Sequence, residues 1–184
     1  YSGRVVDALD IILDSASAAA TFCSGVPNGR IIVGDVTLTG AEGLSVPCLH
    51  RVVGNIRIQE FAGQTVDLSE LHSVSGAVTI EDAPELVSVE LPLLGVAGSL
   101  VVRALPALES LTLGLEVVFG GIVLENLAEL SALDLLDLRQ AAGLYVYDSA
   151  ALRSVTAPML ATLQPHAMFG GGADGWLSVQ SCST

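Results

Sequence analysis

The 184 residues suffice for one domain with a sizeable core and are too few for two full-sized ones. Seven Arg and no Lys stand against 20 acidic side chains, a formal charge of −13, which excludes the clustered cations that nucleic acid and anionic membrane surfaces require. Without Lys there is no Schiff-base or phosphate-loop lysine, and the longest uncharged, mostly apolar stretch (Leu91–Val102) is interrupted by Pro92 and too short to cross a bilayer.

At the N-terminus Val5, Val6, Leu9, Ile12 and Leu13 fall at helical spacing, with Asp7, Asp10 and Asp14 opposite. This spacing predicts a helical cap over Ser2–Ala20 within an N-terminal segment 1–33. Its acidic residues and weak basic start argue against a secretory signal, so the chain is expected to begin after any signal has been removed. Cys23 and Cys48 bracket the first of the repeats described next. A bridge between them in an oxidising compartment would stabilise by roughly 3 kcal/mol. Two buried thiols acting as small hydrophobes are the other reading. Cys182 is expected to be unpaired. The three His (His50, His72, His166) and three Cys have no metal-ligand spacing, and neither metal nor cofactor is expected.

From residue 34 onward the chain repeats. Gly54, Gly76, Gly98 and Gly120 are spaced at 22, Ala142 continues the series, and Gly34 precedes Gly54 by 20. Each start is followed by two alternating apolar residues, such as Ile56 and Ile58, Val78 and Ile80, Leu100 and Val102, Ile122 and Leu124. Ten residues after the start comes Leu-x-x-Φ-x-Φ, as in Leu86, Val89, Leu91 and Leu108, Leu111, Leu113, and an apolar corner follows. Three short apolar segments in 22 residues leave no room for a helix. Period-two alternation predicts short strands with one buried face. A single repeat cannot bury its apolar side chains, whereas stacked repeats form parallel sheets around one core. The expected fold is therefore mainly β, a parallel β-helix solenoid of about six 22-residue rungs over 34–164. The start glycines suit a corner needing positive φ or close backbone approach. Residues 165–184 depart from the repeat and are expected as a C-terminal cap, with Phe169, Trp176 and Leu177 covering the last rung. The glycines of 170–172 lack the Lys and the strand-to-helix context of a phosphate cradle.

The run from Cys23 to Leu160 resembles the receptor L domain of insulin- and EGF-receptor ectodomains, and more closely the related GPI-anchored cell-wall proteins of fungi and bacterial secreted relatives. The matching residues are Gly34-Asp-Val-Thr-Leu38, Gly54-Asn-Ile-Arg-Ile58, Leu86-Val-Ser-Val-Glu-Leu-Pro-Leu-Leu94, Val96-Ala-Gly98-Ser-Leu100 and Leu152-Arg-Ser-Val-Thr-Ala-Pro-Met-Leu160. Cys48 sits where that family places a cap cysteine. The resemblance implies a right-handed parallel β-helix in a secreted or cell-surface protein. This sequence departs from the family in its N-terminal segment and in having no cysteine-rich module. It also lacks the Asn that follows Leu-x-x-Leu-x-Leu in ordinary leucine-rich repeats, so no Asn ladder is expected.

Stacking in register turns each repeat position into a column. Glu81, Arg103, Glu125 and Tyr147 form one, a solvated ladder with alternating charge. Arg57, Thr79, Val101, Val123 and Tyr145 form another. Its later half is apolar, and Val101, Val123, Tyr145 and Tyr147 are the candidate contact patch for a partner or a second copy. Glu90, Thr112, Asp134 and Thr156 form an acidic column whose carboxylates lie too far apart for one calcium ion or a glycosidase pair. His50 and His72 share a column. No catalytic constellation stands out, and short-looped rungs leave no cleft. The expected function is a non-catalytic extracellular or cell-surface recognition or envelope-structure module that presents flat faces to a protein or glycan. A self-associating scaffold is the alternative, and a polysaccharide-active β-helix enzyme the third.

Overall fold

The computed structural model describes residues 5–26, 29–40, 42–163, 168–170 and 178–180. Short parallel strands coil into a β-solenoid of about 7 turns. The first turn is β1 (Val5–Asp7), β2 (Ile11–Leu13) and the helix α1 (Ala16–Cys23). Next come β3 (Arg30–Val33), β4 (Val36–Gly40) and β5 (Leu44–Ser45), then β6 (Leu49–Val53), β7 (Ile56–Phe61) and β8 (Thr65–Asp67). In the following turns the first two segments fuse into one strand, giving the pairs β9 (Ser73–Glu81) and β10 (Ser88–Leu91), then β11 (Val96–Arg103) and β12 (Ser110–Leu113). These are followed by β13 (Val117–Glu125) and β14 (Ala132–Asp134), then β15 (Gln140–Tyr147) and β16 (Ser154–Thr156). Finally β17 (Thr162–Leu163), β18 (Met168–Gly170) and β19 (Ser178–Gln180) add to β15 and β16.

The repeat reading carries over residue by residue. Ile58 pairs with Ile80, Ile80 with Val102, Val102 with Leu124 and Leu124 with Val146. All five side chains are buried, in one continuous apolar core that includes no polar or charged residue among the described residues.

The N-terminal segment differs from expectation. Residues 2–20 were expected as one helix, but Val5–Asp7 and Ile11–Leu13 are strands that pair with β3 and β4, and α1 starts only at Ala16. A helix there would leave the parallel edges of β3 and β4 without partners. Laddering prevails, and an Arg30–Asp7 ion pair at 2.6 Å adds to it. The solenoid thus starts one turn before Gly34. Ser15 caps α1 by accepting from the Ala18 N–H, and the helix delivers Cys23 to Cys48. At the other end, β18 and β19 add to the sheets in parallel, and Phe169 in β18 pairs with Val146 of the last full turn; Trp176 and Leu177 of the expected cap lie outside the described residues.

The corners divide their chemistry between two positions of the repeat. Positive φ falls not at the 22-spaced glycines but at Glu60 (49°), Asp82 (52°), Ala104 (54°), Asn126 (54°) and Asp148 (45°), again 22 apart. Gly98 is instead required by close stacking, since a Cβ there would lie 2.5 Å from the Gly76 carbonyl oxygen. A short polar ladder runs beside the start positions, away from the place where leucine-rich repeats carry their Asn. The Asp10 carboxylate accepts the Asp35 N–H, Asp35 accepts the Asn55 N–H, and the Asn55 side-chain oxygen accepts the Ala77 N–H, at 2.8, 2.8 and 2.9 Å.

One face is split. β5, β8, β10 and β12 form one sheet and β14, β16 and β19 another, with no ladder between β12 and β14. The sequence explains the break. Four residues separate Leu91 from Val96 and four separate Leu135 from Gln140, but only Gly114, Leu115 and Glu116 separate Leu113 from Val117. Gly114 is pulled against the previous turn, where a Cβ would lie 2.0 Å from the Pro92 oxygen. The missing residue is restored by Phe119, an extra residue at the corner of β13 relative to β11 and β15. The expected Glu90–Thr112–Asp134–Thr156 column is therefore interrupted between Thr112 and Asp134.

Candidate functional site

The sheet of β2, β4, β7, β9, β11, β13 and β15 carries the outward row Ile12, Thr37, Arg57, Thr79, Val101, Val123 and Tyr145. Neighbours in a parallel ladder are about 4.8 Å apart, so Val101, Val123 and Tyr145 form a contiguous apolar strip. All three are half-buried, because each lies between its neighbours in the ladder. Tyr147 pairs with Glu125 in the adjacent column, two residues along the strand from Tyr145. The four residues of the expected patch are thus brought together.

Glycines set the shape of this strip. Gly121 and Gly143 are paired neighbours, and a Cβ on Gly143 would lie 2.6 Å from the Tyr145 ring, one on Gly121 3.0 Å. The Tyr145 ring therefore lies down over two bare backbones instead of standing away from the sheet, a packing in which aromatic contact replaces missing side chains. The ring becomes a flat tile.

Sequence reasoning missed Phe119, which is 68% exposed at the corner where β13 turns toward Val123. The available signal was the single residue inserted before Gly120-Gly121, which the overall period of 22 concealed. Below the apolar strip the charged column follows the expected order. The Arg103 Nε donates to Glu81 at 2.7 Å, and this ion pair raises the pKa of Arg103 above its ordinary value. On a solvated face such a pair fixes side-chain placement more than it stabilises.

The paired cysteines stand as a disulfide between α1 and the turn preceding β6, with Cα atoms 5.4 Å apart. His50 and His72 stack one turn apart, their ring centroids 5.5 Å from each other, with His72 Nδ1 bonded to the Glu70 carbonyl at 2.6 Å. No group of three or more His, Cys, Asp or Glu among the described residues could hold a metal ion. No helix among them is long and apolar enough to cross a membrane. The strip therefore offers apolar and aromatic contact area bounded by charge. No family model, curated protein or solved structure matches the chain.

Proposed function

We propose that the chain is a non-catalytic recognition or envelope-structure module of a secreted or cell-surface protein, related to the receptor L-domain family. One observation carries this reading: Val101, Val123 and Tyr145 lie in register on a laddered parallel sheet, with Tyr147 beside them. A solenoid sheet is rigid, so a partner meets an ordered surface and little side-chain entropy is lost on contact. The recumbent Tyr145 ring and the Tyr147 hydroxyl suit either a protein face or the apolar face of a sugar ring. The Cys23–Cys48 disulfide fits an oxidising compartment.

A glycan array and a panel of cell-surface proteins, each probed with the native chain and with Val123→Ser/Tyr145→Ser, test the reading. Binding to one ligand class that the double variant loses supports it. A concentration series by sedimentation decides against the scaffold alternative if the chain stays monomeric, and in its favour if mass rises with concentration. Turnover of an acidic glycan would replace recognition by catalysis.

A further inference from the structure

We infer that the gap between β12 and β14 is a docking slot for an extended, arginine-bearing peptide segment of a partner protein. The inference rests on the recognition reading above and places a second contact, of different chemistry, on another face of the solenoid. Among the described residues β12 ladders only with β10, and β14 only with β16, so each turns one edge toward the gap without a strand partner there. In the middle of a solenoid such edges are anomalous, because every neighbouring turn satisfies its backbone by pairing. The cause is built into the chain: the short turn at Gly114 draws β12 toward β10, while the full-length turn at Leu136-Asp137 leaves β14 with β16.

The gap holds a cavity of about 420 Å³, open to solvent. Leu111 and Leu113 at its floor are 7% and 8% exposed, whereas their counterparts Val89 and Leu91 are at 0%. Its walls carry Glu109, Asp134 and Asp137 with Thr112, and the apolar Pro92 and Leu136; among the described residues no Arg or His lines it. Among the described residues none of these three carboxylates makes an ion pair.

The chemistry selects the occupant. Cα atoms of β12 and β14 approach within 8 Å, too close for a whole strand at about 4.8 Å from each edge. A side chain fits where a strand does not. A guanidinium presents five donors in a plane, enough to reach carboxylates and unladdered backbone carbonyls together. Its aliphatic stem would lie along Pro92 and Leu136. In an extended segment alternate side chains point the same way, so one arginine enters the slot while the backbone runs along the surface. A second copy of this chain, carrying −13, is repelled from the same walls.

The probe is a blocked hexapeptide of alternating Arg and Thr, titrated calorimetrically into the native chain beside its citrulline counterpart. One saturable site per chain is expected, with the citrulline peptide at least about tenfold weaker. Glu109→Gln/Asp134→Asn, both at exposed positions, should weaken the arginine peptide by at least about tenfold. Glu129→Gln/Asp148→Asn removes the same charge elsewhere and should change it by less than about twofold. Equal weakening by both double variants would reduce the effect to general attraction by an acidic shell, and absence of saturable binding would likewise overturn the slot. Val123→Ser/Tyr145→Ser should leave this binding intact. Loss of array binding in that variant with peptide binding retained, or the reverse, shows which of the two contacts fails.

Discussion

Replacing Cys23 and Cys48 with Ala removes a link that closes a loop of sequence separation 25. Chain-entropy arithmetic for such a loop gives about 3.5 kcal/mol at 25 °C. Cys48 is buried and packed in the aliphatic core, so the lost sulfur adds a small packing cost. In a domain of this size each kcal/mol moves the midpoint by about 2–4 °C, so a fall of roughly 7–14 °C is expected. Thermal melts of the native, reduced and Cys23→Ala/Cys48→Ala proteins, followed by far-ultraviolet circular dichroism, read this out. Because turns couple only to their neighbours, amide exchange should accelerate in α1 and β1–β4 and stay unchanged in β11–β15. Thiol titration of the unfolded native chain should find one reactive cysteine. Coincident melts of oxidised and reduced protein, or three reactive thiols, would refute the reasoning.

Leu124→Ala should cost about 2.7–5 kcal/mol in urea unfolding, because Leu124 is fully buried between Val102 and Val146. Val123→Ala, one residue along on the outer face, should cost less than about 1 kcal/mol. Ala104→Asn should stabilise by about 0.5–1 kcal/mol, since position 104 has φ 54° and Asn126 already occupies the same corner one turn on. Asp67 supplies a pH test. Partial burial opposes its ionisation, but hydrogen bonds from Ser45 at 2.8 Å and the Ser69 N–H at 2.9 Å prevail and hold its carboxyl below the ordinary carboxylate value. Its contribution is therefore full above about pH 4 and lost as pH falls through the lower folded value. Asp67→Asn should be less stable at neutral pH and show a flatter acid limb in melts between about pH 5 and 2.

The core was legible because burial acts on every turn alike. Ile80, Val102 and Leu124 repeat at 22 since each must meet the same position in the next coil. The first turn was not legible, because Val5, Leu9, Ile12 and Leu13 also satisfy helical spacing, and what decides between helix and strand is the edge of β3 and β4. That edge lies outside the segment itself. The contact row was readable up to the identity of its members, but the recumbent Tyr145 ring depends on the pairing of Gly121 with Gly143 across two turns. The split between β12 and β14 was hidden by compensation: the residue missing before Val117 returns as Phe119, so the overall period is undisturbed. Comparing segment lengths within each repeat, rather than the repeat length, would have exposed both. The left-handed corner left a faint trace in Asp82, Asn126 and Asp148, residue types that tolerate positive φ.

Cysteine pairs on the outer row test the stacking directly, in a Cys182→Ser background. Neighbouring turns place positions 101 and 123 about 4.8 Å apart, within disulfide reach, and positions 101 and 145 about 9.6 Å apart, beyond it. Under mild oxidation Val101→Cys/Val123→Cys should form an intramolecular bridge, seen as a mass loss of about 2 Da, and Val101→Cys/Tyr145→Cys should not. Bridging of the second pair without the first would contradict the register on which the contact face rests.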